Sequence, residues 1–371
     1  MKKLALLLLF VASAVSASGP TFLPGRAEPN YFTKIALGHV AGMSVVEKFG
    51  ENPDIDSGGT FEDIWDGGGI YANPTATSLH NVVSSLAADT GDLVSGGTMT
   101  GGSFTTLVDS AADFVTDAVV AGDIVLNDSN VMIGFVTART DLNTLAIAGE
   151  MRNPNSGRPS PGADVVNTST FGIANVSGDT YRIVRDGSTG ASVLWIQGLS
   201  GVLLEQSEFV RLNGVGIVAT TKLYSTQYRA RVFTTGTAGA VGDITSTAQS
   251  GGTVSAQILG SAGTDTANQT LMTPYTCAID KECLIIFWAA SLSKAVPAAT
   301  SDIHLMGGTI SNPRYILQTS SITSTGSSIY PHPYVAPIPI PGGSAVWLAA
   351  NSSSNDVGVS ARMTILVRDR Q

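Results

Sequence analysis

The chain has 371 residues, 43% of them hydrophobic and only 13% charged, with 41 glycines. That content can bury a core, excludes the polar, highly charged make-up of a disordered chain, and favours strands and tight turns over helices. A formal net charge of −9 with scattered Lys and Arg excludes the basic face that a direct nucleic-acid ligand requires.

In chain order, Met1-Lys2-Lys3 precedes the apolar run 4–15, and Val15-Ser16-Ala17 offers small residues where a signal peptidase reads. Residues 1–17 therefore read as a signal-peptide-like segment, with a subunit-docking arm as the other reading. The run is too short for a transmembrane span, and no later apolar stretch is long enough for one. Residues 18–60 read as an irregular N-terminal arm, with Gly19-Pro20, Pro24-Gly25 and Asn52-Pro53 and no firm hydrophobic period. Phe61-Glu62-Asp63-Ile64-Trp65-Asp66 then runs into three glycines, and residues 79–86 suit a strand at least as well as a helical turn.

Residues 95–152 form a compact unit of short alternating segments, such as Val131, Ile133 and Phe135, joined by polar turns; this pattern suggests a small β-barrel. A loop of Asn, Pro, Ser and Gly over 153–162 follows. From about residue 188 strand signals are dense. Val193-Leu194-Trp195-Ile196 is a buried-strand run, and Phe209-Val210-Arg211-Leu212 ends at Asn213-Gly214, a hairpin signal. Tyr228, Ala230 and Val232 alternate with Arg229 and Arg231. At the C-terminus Val357, Val359, Ala361, Met363, Ile365 and Val367 keep a period of two, which buries one face of a strand and would smear around a helix. The chain is expected to be all-β, its larger part a jelly-roll-like β-sandwich.

The residues that could carry chemistry are few. His39, His80, His304 and His332 have no acidic or Cys partner at ligand spacing, and no Gly-x-Ser-x-Gly or Gly-Lys-Ser/Thr is present. Cys277 and Cys283 could face each other across a turn, but two half-buried thiols are the preferred reading. Asp54 and Asp56 begin like a calcium loop, yet Trp65 stands where position twelve needs an acid. Glu62, Asp63 and Asp66 could mimic a glycosidase carboxylate set, although docking or capping explains them with fewer assumptions. Trp65 reads as a core or interface anchor. Tyr330-Pro331-His332-Pro333-Tyr334 reads as a stiff aromatic surface loop, with Tyr330, His332 and Tyr334 as contact residues for a partner or a sugar. No catalytic residue, cofactor or metal site is expected.

Several segments resemble a group of tailed-phage virion structural proteins. They are Lys48-Phe49-Gly50-Glu51-Asn52-Pro53-Asp54-Ile55-Asp56, Glu62-Asp63-Ile64-Trp65-Asp66-Gly67-Gly68-Gly69, Val82-Val83-Ser84-Ser85 with Ala88-Asp89, Glu205-Gln206-Ser207-Glu208 with Leu212-Asn213-Gly214, Gln269-Thr270-Leu271-Met272, Tyr315-Ile316-Leu317-Gln318 and Pro339-Ile340-Pro341-Gly342-Gly343. Their order across most of 31–369 carries the resemblance. It implies a main β-sandwich of 61–94 and 187–371, with 95–186 as a small β-barrel domain inserted into one of its loops. It also implies a capsid-associated, decoration or tail-attached virion protein that assembles as a homo-oligomer with other virion proteins, without catalysis. The signal-like start and the two cysteines depart from that group. The signal-like start and the Tyr330-Pro331-His332-Pro333-Tyr334 segment keep open a secreted or periplasmic adhesin or carbohydrate-binding protein that contacts a host-surface glycan. A polysaccharide depolymerase is the third and least favoured class.

Overall fold

The computed structural model describes residues 34–35, 40–103, 105–148, 152–153, 158–159, 177–187, 189–260, 268–293, 299–309, 314–324 and 327–370. The signal-like segment 1–17, most of the arm expected over 18–60 and His39 lie outside the described residues. The chain divides into a unit of residues 1–44 and a unit of residues 45–371. In the first, only Lys34 and Ile35 are helical among the described residues. The second is all-β, built of several antiparallel sheets.

Two sheets enclose the largest core. One runs in the order Met43–Ile55, Val357–Asp369, Lys281–Ser293, Ser327–Ile340. The other runs Tyr275–Thr276, Ser344–Ser352, Ala299–Thr309, Tyr315–Ser324, with Glu62–Asp63 also paired to Ser344–Ser352. Between them lie Ile285, Trp288, Ile303, Leu305, Val346, Leu348, Val359, Met363 and Ile365. The C-terminal strand buries the side chains its period predicts: Val357, Val359, Ala361, Met363, Ile365 and Val367.

Met43–Ile55 corrects the irregular-arm reading of 18–60, because it is a thirteen-residue strand. Its inward positions are Lys48, Gly50, Asn52 and Ile55, so the polar residues face in and no hydrophobic period exists to be read. Gly50 is needed there: a Cβ would lie 2.4 Å from the Ile64 carbonyl oxygen. Pro53 costs no ladder bond because this strand ends its sheet.

The strands expected to form one sandwich divide between two pairs of sheets. The second pair joins Glu205–Arg211, Ala191–Leu199 and Thr226–Thr235 to Val218–Ala219, His80–Ser84, Ile244–Ala248 and Val254–Ile258. Leu194, Ile196, Val210, Tyr224, Ile244 and Ile258 fill the space between. Alternation marks a strand but not which sheet it joins, so the division is invisible in the pattern. Asn213-Gly214 is likewise no hairpin. The strand before it pairs backwards with Ala191–Leu199, and Gly214, at φ 56°, passes so close to Ala87 that a Cβ would lie 2.8 Å from its backbone.

Residues 91–186 supply every strand of a seven-stranded sheet, ordered Gly91–Thr98, Thr180–Asp186, Ile124–Asn127, Met132–Arg139, Thr144–Ala148, Thr106–Val108, Gly101–Ser103. The two end strands of the ladder, Gly91–Thr98 and Gly101–Ser103, follow one another in the chain. The sheet holds a core of its own around Leu107, Phe114, Val125, Val136, Leu145 and Tyr181. Its other face sets Ile124, Leu126, Ile133 and Val184 against Val193, Trp195 and Phe209. Ala191–Leu199 is consequently buried at every position, as its unbroken apolar run predicts. At the root of the unit Asp89 accepts Ser84 Oγ, Ala191 N, Val241 N and Gly242 N at 2.6–3.0 Å, fastening its own stretch to those at 191 and 241–242.

Candidate functional site

Cys277 and Cys283 are disulfide-bonded with Cα atoms 6.1 Å apart, which corrects the preferred reading of two thiols. Ala278 and the turn after it bring both sulfurs into the large core, where neither is exposed. No helix among the described residues is long and apolar enough to cross a membrane.

Tyr330, His332 and Tyr334 belong to the strand Ser327–Ile340, not to a loop. The prolines between them suggested a loop, but the strand is an edge, where Pro331 and Pro333 sacrifice no ladder donor. The alternation turns the three rings inward, half-buried, and Pro331, Pro333 and Val335 outward. His332 stacks on Trp288 at 5.5 Å between centroids, and Tyr330 lies 5.6 Å from the same indole. Trp288 Nε1 donates to Tyr334 Oη at 3.1 Å, and Tyr334 Oη donates to Gln318 Oε1. Gln318 Nε2 lies 2.9 Å from His332 Nε2. Gln318 stands on Tyr315–Ser324, the matching edge of the facing sheet, so the cluster closes that side of the sandwich. Outside the cluster, Tyr315, Ile316, Ile329 and Val335 are all at least half exposed on the two edge strands.

Asp54, in the last residues of the strand Met43–Ile55, and Asp56, just beyond its end, are both exposed. The Asp54 amide donates to Asn52 Oδ1 and the Asp56 amide to Glu62 Oε1, both at 3.0 Å. The charge of Asp56, before all else, pushes the Asp54 carboxyl up. No group of three His, Cys, Asp or Glu side chains suited to a metal converges among the described residues. Trp65 is a core side chain and not a contact surface. It is 6% exposed, meets Tyr71 edge-on at 5.3 Å, and is seated over Gly67, where a Cβ would strike the ring.

The acids near Trp65 part company. Glu62 accepts the amides of Asp56 and Gly69. Asp66 Oδ2 accepts the Leu271 amide at 2.9 Å while the Asp66 amide donates to the Leu271 carbonyl. Trp65 pairs with Met272, and Glu51 N donates to the Leu271 carbonyl. Motif segments around 50, 65 and 271 are thus one knot in space. Beside it the fully buried Lys48 donates Nζ to the Tyr228 carbonyl; burial first, then the charge of Arg229, lowers its amine well below the ordinary lysine value. Burial lifts the Asp66 carboxyl to about 8.

Asp63 faces a different place. It pairs with Arg314 and accepts the Tyr71 amide at 2.8 Å, yet burial outweighs these partners and lifts its carboxyl to about 6. The pair stands at a cavity of about 160 Å³ lined also by Tyr71, Asn73, Thr226, Tyr228, Tyr275 and Trp347. Arg314 lies over the Trp347 ring at 5.0 Å, and Tyr228 meets Tyr275 edge-on at 5.2 Å. Of these residues the sequence singled out only Asp63 and Tyr228, because the others come from positions spread over 71–347 with no common motif.

No family model and no curated protein sequence matches the chain. Among solved structures the likenesses are faint. One is to a structure of the infectious bursal disease virus Gx strain, at 8% identity and TM-score 0.17, covering 88% of this chain and 77% of the other. The second is to the VP2 subviral particle of infectious bursal disease virus, at 9% identity and TM-score 0.16, covering 91% and 77%.

Proposed function

We propose that the chain is a structural component of a virion, of the tailed-phage kind its motifs resemble, working through protein contacts and without catalysis. The strand order of the two large sheets carries this reading. Numbered along the chain, with Glu62–Asp63 and Tyr275–Thr276 sharing second place, the eight strand positions run 1-8-3-6 in one sheet and 2-7-4-5 in the other. That interleaving supports a jelly-roll reading of these two sheets, an architecture of viral capsid domains that is also used by lectins. On this reading everything between Glu62–Asp63 and Tyr275–Thr276, including the 95–186 unit, is carried as an insertion between the two segments that share second place. The exposed Tyr315, Ile316, Ile329 and Val335 on adjacent edges form an apolar rim that a second copy of the chain would cover.

Sedimentation velocity of the purified chain tests the contact role. A defined oligomer that Ile329→Lys with Val335→Lys dissociates is the expected result; a monomer at all concentrations sinks the self-assembly. The second reading, a carbohydrate-binding protein, is favoured by one observation, the aromatic and polar cavity beside Asp63.

A further inference from the structure

We propose that the cavity between Asp63, Tyr228, Tyr275 and Trp347 is a binding site for one neutral sugar ring. The lining has the two kinds of surface a pyranose presents. Tyr71, Tyr228 and Trp347 supply aromatic rings for its C–H faces, while Asp63, Asn73, Thr226 and Arg314 supply acceptors and donors for its hydroxyls. The polar groups are not all used up by the fold. Asn73 Oδ1 is buried and has no hydrogen-bond partner among the described residues. A buried amide oxygen left unpaired is costly, and a ligand hydroxyl would satisfy it.

The charge balance selects the class. Asp63 and Arg314 neutralise each other inside the site, so a charged ligand would have to break an ion pair, whereas a neutral polyol can bond to both partners as they stand. The volume of about 160 Å³ suits a single ring, not an oligomer. Tyr71, Asn73 and Arg314, each partly exposed, stand where a glycan end would enter. This site does not depend on the virion reading: a chain absent from particles could bind sugar, and one present in them could fail to.

The test is calorimetric titration and saturation-transfer NMR on the purified full chain. The probes are the methyl glycosides of glucose, galactose and N-acetylglucosamine, with glucuronate as the acidic comparison. The expected result is binding of at least one neutral glycoside, weakened about tenfold by Asn73→Ala, which removes the unpaired amide oxygen. The melting temperature of that variant should not fall. If Asn73→Ala does not fold, Thr226→Val in the lining gives the same readout. No binding of any neutral glycoside at millimolar concentration overturns the proposal. Binding indifferent to both variants, or preference for glucuronate, overturns it equally.

Discussion

Between the two large sheets the buried side chains are Ile285, Ile303, Leu305, Val346, Val359 and Ile365. A short distance away, in the seam where residues 48–66 meet 226–229 and 271–275, they are Lys48, Asn52, Asp63, Asp66 and Thr273. The first region is held by apolar burial, which is indifferent to pH and tolerant of exchanges that conserve volume. The second is held by specific hydrogen bonds among groups that pay for losing water, so its stability depends on protons and on exact partners. The motifs that carry the phage resemblance around 50, 65 and 271 lie in the second region. They fasten the chain at the start of the sandwich, and their chemistry is structural.

The sharpest way to break the comparison is to put a charge in the apolar region. Val359→Asp places an unpaired carboxylate at a fully buried position and should cost at least about 3–5 kcal/mol, enough to unfold the sandwich in denaturant titrations. Val359→Ile should cost little by comparison.

The seam should respond to pH instead. The Asp63 and Asp66 carboxyls are raised to about 6 and about 8, above their ordinary value of 3.8. Their stabilising contribution is therefore complete below about 3.8 and is lost as pH climbs through 6 and then 8. The lowered Lys48 amine acts in the opposite sense, contributing fully above its unfolded value of 10.5 and less as pH falls through its folded one. Thermal melts between about pH 5 and 9 should show a decline that Asp66→Asn flattens at the alkaline end. An unchanged slope in that variant removes the buried acid from the explanation.

Smaller effects come from the closures of the sandwich. Breaking the Cys277–Cys283 bond, by reductant or by the double Ser variant, opens a short loop and should cost about 2 kcal/mol in denaturant. Tyr334→Phe removes the hydroxyl that links Trp288 to Gln318 and should cost about 1 kcal/mol, with the two edge strands gaining hydrogen exchange.

The same contrast explains what the sequence discloses. Val357 to Val367 could be read because one face is apolar and the other polar. Ala191–Leu199 could be read because both faces are covered. Met43–Ile55 could not, since Lys48, Gly50 and Asn52 hold its inward positions. Pro331 and Pro333 disguised an edge strand as a loop, and the cysteine pair was settled only by the turn that brings both sulfurs inward. The cavity was illegible because Tyr71, Tyr275, Arg314 and Trp347 lie far apart in the sequence and meet only in the folded chain.

Quantitative mass spectrometry of purified, nuclease-treated phage particles decides whether these surfaces build a virion. A fixed copy number of this chain per particle, retained through density-gradient banding and salt washing, is the predicted outcome. Its absence from particles, with all of the protein recovered free in the lysate or outside the cell, contradicts the structural role.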